Sequence, residues 1–177
     1  NQWGSTQWDD LSYTFAGCSN LEYLADDAPD LSNVTDMSWM FTLSSINADL
    51  NDWDVSGVTN MSNMFNNASS FNGDISTWDV SSVTNLSSMF QYATSFDQDL
   101  SSWNVGNVTN MSTTFAGAEA FSGDISSWNV SKVTDMSGTF QNTYAFTSDL
   151  SAWNVSNVVD MSYMFNSSGF DSDLSGW

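Results

Sequence analysis

The chain has 177 residues, enough for a sizeable core, with 21 acids against a single base, Lys132, no histidine, and a formal net charge of −20. That balance excludes nucleic-acid binding and attraction to anionic membranes, which need clustered Lys and Arg. It also excludes Ser-His or Cys-His nucleophilic catalysis and zinc sites built on histidine.

Acidity of this degree often means disorder, but 41% of the residues are hydrophobic and 15% aromatic. That is too much apolar mass for a solvated tail. Glu occurs only at Glu22 and Glu119, so a paired-carboxylate hydrolase would have to be built from Asp. The lone cysteine, Cys18, forms no internal disulfide and reads as a small buried residue or an intermolecular cross-link. No apolar run approaches a membrane span. The opening Asn and the lack of a basic-apolar leader suggest a processed product or a fragment.

In chain order, residues 1–52 read as two degenerate repeats. Trp3, Leu11 and Phe15 occupy repeat columns, with Trp8 at a valine position. The second unit puts Pro29 where a Trp belongs, then resumes with Leu31, Val34, Met37, Met40 and Phe41. Residues 53–177 are regular, with Trp53, Trp78, Trp103, Trp128 and Trp153 spaced 25 apart and Trp177 closing the series. All twelve Phe fall in two columns. One repeat buries too little to offset the entropy of ordering it, so stacked neighbours must supply the rest. The whole of 1–177 therefore reads as one repeat domain.

Within a unit, Ile75, Trp78, Val80, Val83 and Leu86 have the spacing of a leucine-rich repeat. Trp78 and Val80 alternate with polar residues, which predicts a short strand. Leu86, Met89 and Phe90 lie at i, i+3 and i+4, which predicts a helical turn. The fold class is thus a leucine-rich-repeat solenoid of about seven repeats, with short parallel strands stacked and one helical turn in each.

The repeat W-D-V-S-x-V-T-N-M-S-x-M-F resembles the bacterial surface-protein repeat of about 25–26 residues found in BspA-like leucine-rich proteins and lipoprotein-associated arrays. The resemblance covers residues 31–177 well and 3–30 weakly. It implies a secreted or surface-displayed, non-enzymatic solenoid serving adhesion or surface architecture, and it brings no catalytic residue with it.

Four sets of candidate residues follow. Asp54, Asp79, Asn104, Asn129 and Asn154 form an outward polar ladder, either a solvated face or a surface recognising a protein or glycan. Asp74, Asp99, Asp124 and Asp149 form a second ladder whose like charges call for compensation. That compensation is either bridging calcium, the one cofactor considered, or turns in which each Asp accepts backbone N–H bonds. Of the N-x-[ST] sequons, Asn67 and Asn166 are the glycosylation candidates. Trp3, Trp8 and Phe15 at one end, with Phe165, Phe170, Leu174 and Trp177 at the other, are the candidate assembly interface. Such apolar repeat ends suit a segment of a longer array, a bare domain end, or a subunit stacking head to tail into a fibre. The expected location is extracellular or the cell surface. The expected partners are further copies of the chain or a surface protein or glycan, with no nucleic acid and no membrane insertion.

Overall fold

The computed structural model describes residues 2–177. Each repeat lies on the next in register. Parallel bridges join Asp36 to Asn60, Asn60 to Asn85, Asn85 to Asn110, Asn110 to Asp135, and Asp135 to Asp160. These bridges stay isolated, and no extended strand or α-helix forms among the described residues. None of those residues forms a helix long and apolar enough to cross a membrane.

The backbone turns too often for longer elements. In three places per repeat an Asp or Asn side chain accepts the N–H of the residue two further on, closing an Asx turn. In one repeat these are Asp74 to Ser76 at 2.9 Å, Asp79 to Ser81 at 3.0 Å and Asn85 to Ser87 at 3.0 Å. The apolar residues between the corners face inward: Ile75, Trp78, Val80, Val83 and Leu86 are all buried.

The helical turn read from Leu86, Met89 and Phe90 is replaced by a run of tight turns. Met89 N–H reaches Leu86 O at 3.0 Å, Gln91 reaches Ser88 at 3.2 Å, and Ala93 reaches Phe90 at 3.0 Å. The alternate N–H groups leave the repeat. Leu86 donates to Asn110 O at 3.0 Å, Ser88 to Ser112 O at 2.9 Å, Phe90 to Thr114 O at 2.8 Å and Tyr92 to Ala116 O at 2.8 Å. A helix would keep all of these bonds inside the segment. Here half of them hold neighbouring repeats together, while Leu86, Met89 and Phe90 still point into the core.

This geometry places two residues per repeat in the left-handed region, Ser88 (φ 57°) and Tyr92 (φ 57°) among them. Gly17, Gly117 and Gly138 stand at such positions, but most are not glycine. Each L-residue there costs about 1–2 kcal/mol. Leu43 (φ 54°, 60% exposed) isolates that strain, because little of its side chain is packed. Leu43→Gly should raise the unfolding free energy by about 0.5–1 kcal/mol, the strain relieved less the extra chain entropy of glycine. Urea denaturation measures it, and a loss of stability would contradict the strain argument.

The core is built of stacked rings. Phe65 lies 5.7 Å from Phe90, which lies 5.5 Å from Phe115, all nearly parallel. A second column, Phe71, Phe96 and Phe121, runs beside it at 5.8 and 5.9 Å. The two columns meet within each regular repeat, with Phe90 4.0 Å from Phe96. Trp78, Trp103 and Trp128 stack at 6.4 and 6.3 Å, and each Nε1 donates to a carbonyl of the preceding repeat, as Trp128 does to Leu100 O at 3.0 Å. Thr114 and Thr139 take two places in a methionine column. Their buried hydroxyls remain satisfied, Thr139 donating toward Met111 O at 3.0 Å and Met136 O at 2.8 Å.

The N-terminal end departs from the ladder. With Pro29 in place of a Trp, Trp3 does not stack as a column member; it meets Trp53 edge-on at 5.7 Å and 88°. The Tyr23 hydroxyl fills the gap, accepting Trp3 Nε1 at 3.0 Å and Trp53 Nε1 at 3.1 Å.

Candidate functional site: the polar ladders and the repeat ends

Asp54, Asp79, Asn104, Asn129 and Asn154 are all exposed. Each uses Oδ1 to close its own turn, at 3.1, 3.0, 3.1, 3.2 and 3.1 Å from the N–H two residues on. The ladder therefore has a structural task, and the second carboxylate or amide atom of each side chain remains for a partner.

The other ladder does the same. Asp74, Asp99, Asp124 and Asp149 accept from Ser76, Ser101, Ser126 and Ser151 at 2.8–2.9 Å. The backbone N–H and hydroxyl of each serine hold these carboxyls below the ordinary aspartate value. The charge of Asp124 pushes Asp99 and Asp149 upward, but less than the serine bonds pull them down. The compensation anticipated for like charges is thus visible as turn hydrogen bonds. Among the described residues no group of three or more His, Cys, Asp or Glu is arranged to hold a metal ion.

This bears on pH. A carboxyl whose native pKa lies below its unfolded value gives stability that is present above the unfolded pKa and lost as pH falls through the native one. The unfolded value is 3.8, and Asp30, Asp36, Asp79 and Asp160 are lowered as well. The melting midpoint should therefore hold down to about pH 4 and fall below it, as the turn-forming carboxylates are protonated. Thermal melts from pH 6 to pH 2.5 test this. A midpoint that rises on acidification would show that relief of the −20 charge dominates instead.

The two ladders approach one another. A groove of about 560 Å³ is lined by Asp79 and Asn104 from one, Asp99 from the other, and Ser76, Thr77, Ser101 and Ser102. Trp78 forms part of its wall but is only 3% exposed, so it offers little stacking area.

The end residues gather as two separate groups. Phe165 lies 4.2 Å from Phe170 and 6.2 Å from Trp177, whose Nε1 donates to Leu150 O at 3.0 Å. Leu174 packs with them, and all four are half-buried. At the other end Trp3 stands 6.1 Å from Trp8 and 6.0 Å from Phe15, nearly perpendicular to both. Asn67 and Asn166 are exposed, as glycosylation would require.

Sequence reasoning missed the Tyr23 hydroxyl as the junction of two indoles. Pro29 in a Trp position was the available signal that the ring column breaks here; Trp53 Nε1 turns to the Tyr23 hydroxyl where Trp78 uses Leu50 O.

No curated protein and no solved structure matches the chain. A family model does, over residues 9–123 and again over 98–177, the overlapping double match that a tandem repeat produces. It accords with a bacterial surface-protein repeat. The chain belongs to the family described as "Mycoplasma protein of unknown function, DUF285".

Proposed function

We propose that this chain is a non-enzymatic structural module of an extracellular or surface array, a leucine-rich solenoid of the BspA-like class that stacks end on end. The observation that carries the reading is how repeats join internally. Each gives the next a row of N–H donors and a pair of phenylalanine rings, as Phe115 and Gly117 do to Thr139 O at 2.9 Å and Gln141 O at 2.7 Å. Tyr163, Phe165 and Ser167 carry the same donors without such acceptors among the described residues. Ser12, Thr14 and Ala16 carry the matching carbonyls without donors. A further repeat unit would pair both rows and cover Phe165, Phe170, Leu174 and Trp177, and a second copy of the chain can supply one. An assembly that repeats one heterologous contact without closing is a fibre.

Trp177→Asp tests the reading. It places a charge beside Phe165 and Phe170 and should abolish polymers seen by electron microscopy, while the single chain still folds with a lowered melting midpoint, since the ring's packing on Phe165 and its bond to Leu150 O are lost. Polymers that persist in the variant would overturn stacking through this face.

A second reading has one observation in its favour. The groove between the Asp79/Asn104 ladder and Asp99 suits an adhesin that recognises a surface protein or glycan through polar contacts. In that case Trp177→Asp leaves capture of the ligand intact.

A further inference from the structure

The Trp3, Trp8, Phe15 and Tyr23 rings line a cavity of about 370 Å³ at the N-terminal end, with Glu22 beside them. That size falls within the range of small-molecule sites, roughly 300–1,000 Å³. The arrangement of the walls is unlike the core. Within the columns, rings stack nearly parallel and leave no room between them, whereas here Trp8 and Phe15 stand at 84° and 78° to Trp3 and form a corner. Two of the rings are held in place. Trp3 is tied by its Nε1 to the Tyr23 hydroxyl, and its backbone N–H donates to Asp27 at 2.7 Å. Trp8 is not tied in this way: its Nε1 is the one buried side-chain polar atom without a partner among the described residues. No polar contact of that ring would be broken if it shifted around a guest.

The rings and the charge select the same guest. The π-faces of Trp and Tyr attract cations, most strongly when the cation is desolvated, and a quaternary ammonium is the ion that such a corner takes with least loss of hydration. Glu22 adds a carboxylate at the rim, and the chain's net charge of −20 draws cations toward the whole surface. The single base, Lys132, lies in a distant repeat, donating to Asn107 at 2.7 Å, so no cation of the described chain competes for the rings.

We propose that this cavity is a binding site for a small organic cation, an alkyl-substituted ammonium, held over the faces of Trp3, Trp8 and Tyr23 with Glu22 as counter-charge. The site goes beyond the stacking function and does not require it. A stacked copy would use the same rings, so binding is measured at micromolar chain concentration, where sedimentation shows a single chain.

The experiment is a titration by tryptophan fluorescence and calorimetry with n-butyltrimethylammonium in 150 mM NaCl. Its neutral isostere, 3,3-dimethylbutan-1-ol, serves as the control for apolar filling. The expected result is one site per chain, with the ammonium bound at least tenfold more tightly than the alcohol. Trp8→Leu should weaken the ammonium about tenfold while leaving the alcohol nearly unchanged. Glu22→Gln, an exposed position whose variant is expected to fold normally, should weaken the ammonium severalfold and flatten its salt dependence. Equal affinity for the two probes would overturn the proposal. So would binding of many ammonium ions per chain, or binding indifferent to Glu22→Gln, and this last variant decides the matter if Trp8→Leu fails to fold.

Discussion

Phe90→Ala should lower the unfolding free energy by about 3–5 kcal/mol, among the largest losses expected of a single truncation in this core. Phe90 is fully buried and touches rings on three sides: Phe65 at 5.7 Å, Phe115 at 5.5 Å and Phe96 at 4.0 Å. The cavity it leaves has no easy way to collapse. The repeats above and below are held at fixed spacing by Phe65 N–H to Met89 O at 2.9 Å and Phe90 N–H to Thr114 O at 2.8 Å. Phe165→Ala provides the comparison. That ring is half-buried and stacks on Phe140 alone along its column, at 5.8 Å, so its loss should be about half as large. Urea denaturation of both variants measures the difference. Equal losses would mean that stability is not carried by contacts between repeats.

Gly73→Ala should cost about 1–3 kcal/mol for the addition of one methyl group. A Cβ at Gly73 would sit 1.7 Å from the carbonyl oxygen of Ala48 in the preceding repeat, which belongs to the backbone and has no rotamer to change. Relief requires the two repeats to move apart, stretching bonds such as Leu50 N–H to Asp74 O at 3.0 Å. Gly57→Ala is the control, since its Cβ would meet only Val34 O at 3.6 Å, an ordinary contact. That change should be neutral or stabilise by up to about 1 kcal/mol through the unfolded chain. Gln98 stands one repeat on from Gly73, and at Gly123, a further repeat on, a Cβ would lie 3.0 Å from Gln98 O, so the approach varies along the column and is tightest at Gly73. Similar melting midpoints for Gly73→Ala and the unaltered chain would contradict it.

The columns were legible from the residues alone because the core side chains of the regular repeats recur at one spacing, and rings 25 residues apart do lie over one another, as Phe90 and Phe115 show. The turns of Asp74, Asp99, Asp124 and Asp149 were readable as one of two alternatives, whereas those closed by Asn85 and by the Asp54–Asn154 ladder were not anticipated. The path of the backbone between them was less visible. Leu86, Met89 and Phe90 present the same i, i+3, i+4 pattern to a helix and to a run of turns, so periodicity could not separate the two. The feature that decides is a left-handed residue twice per repeat, and Ser88, Tyr92 and Thr113 conceal it because none is glycine. Gly17 and Gly117 mark one of those columns and Gly138 the other, a hint too sparse to read without the fold. The aromatic corner at Trp3 and Tyr23 had no local signature, because it is created by a Trp missing from the second unit and filled from the first.

The −20 charge takes on a definite meaning in this arrangement. Many of the acids close turns on the flanks of the stack, and the terminal repeats described carry half-buried rings; under the proposed stacking, the like charge of the flanks would keep chains apart sideways. Association should therefore proceed end to end and strengthen as salt screens the flanks. Sedimentation velocity of the purified chain, over a hundredfold range of concentration at 20 and 300 mM NaCl, tests this most directly. Species should lengthen with concentration and grow further at the higher salt. A single monomeric boundary under all of these conditions would contradict it.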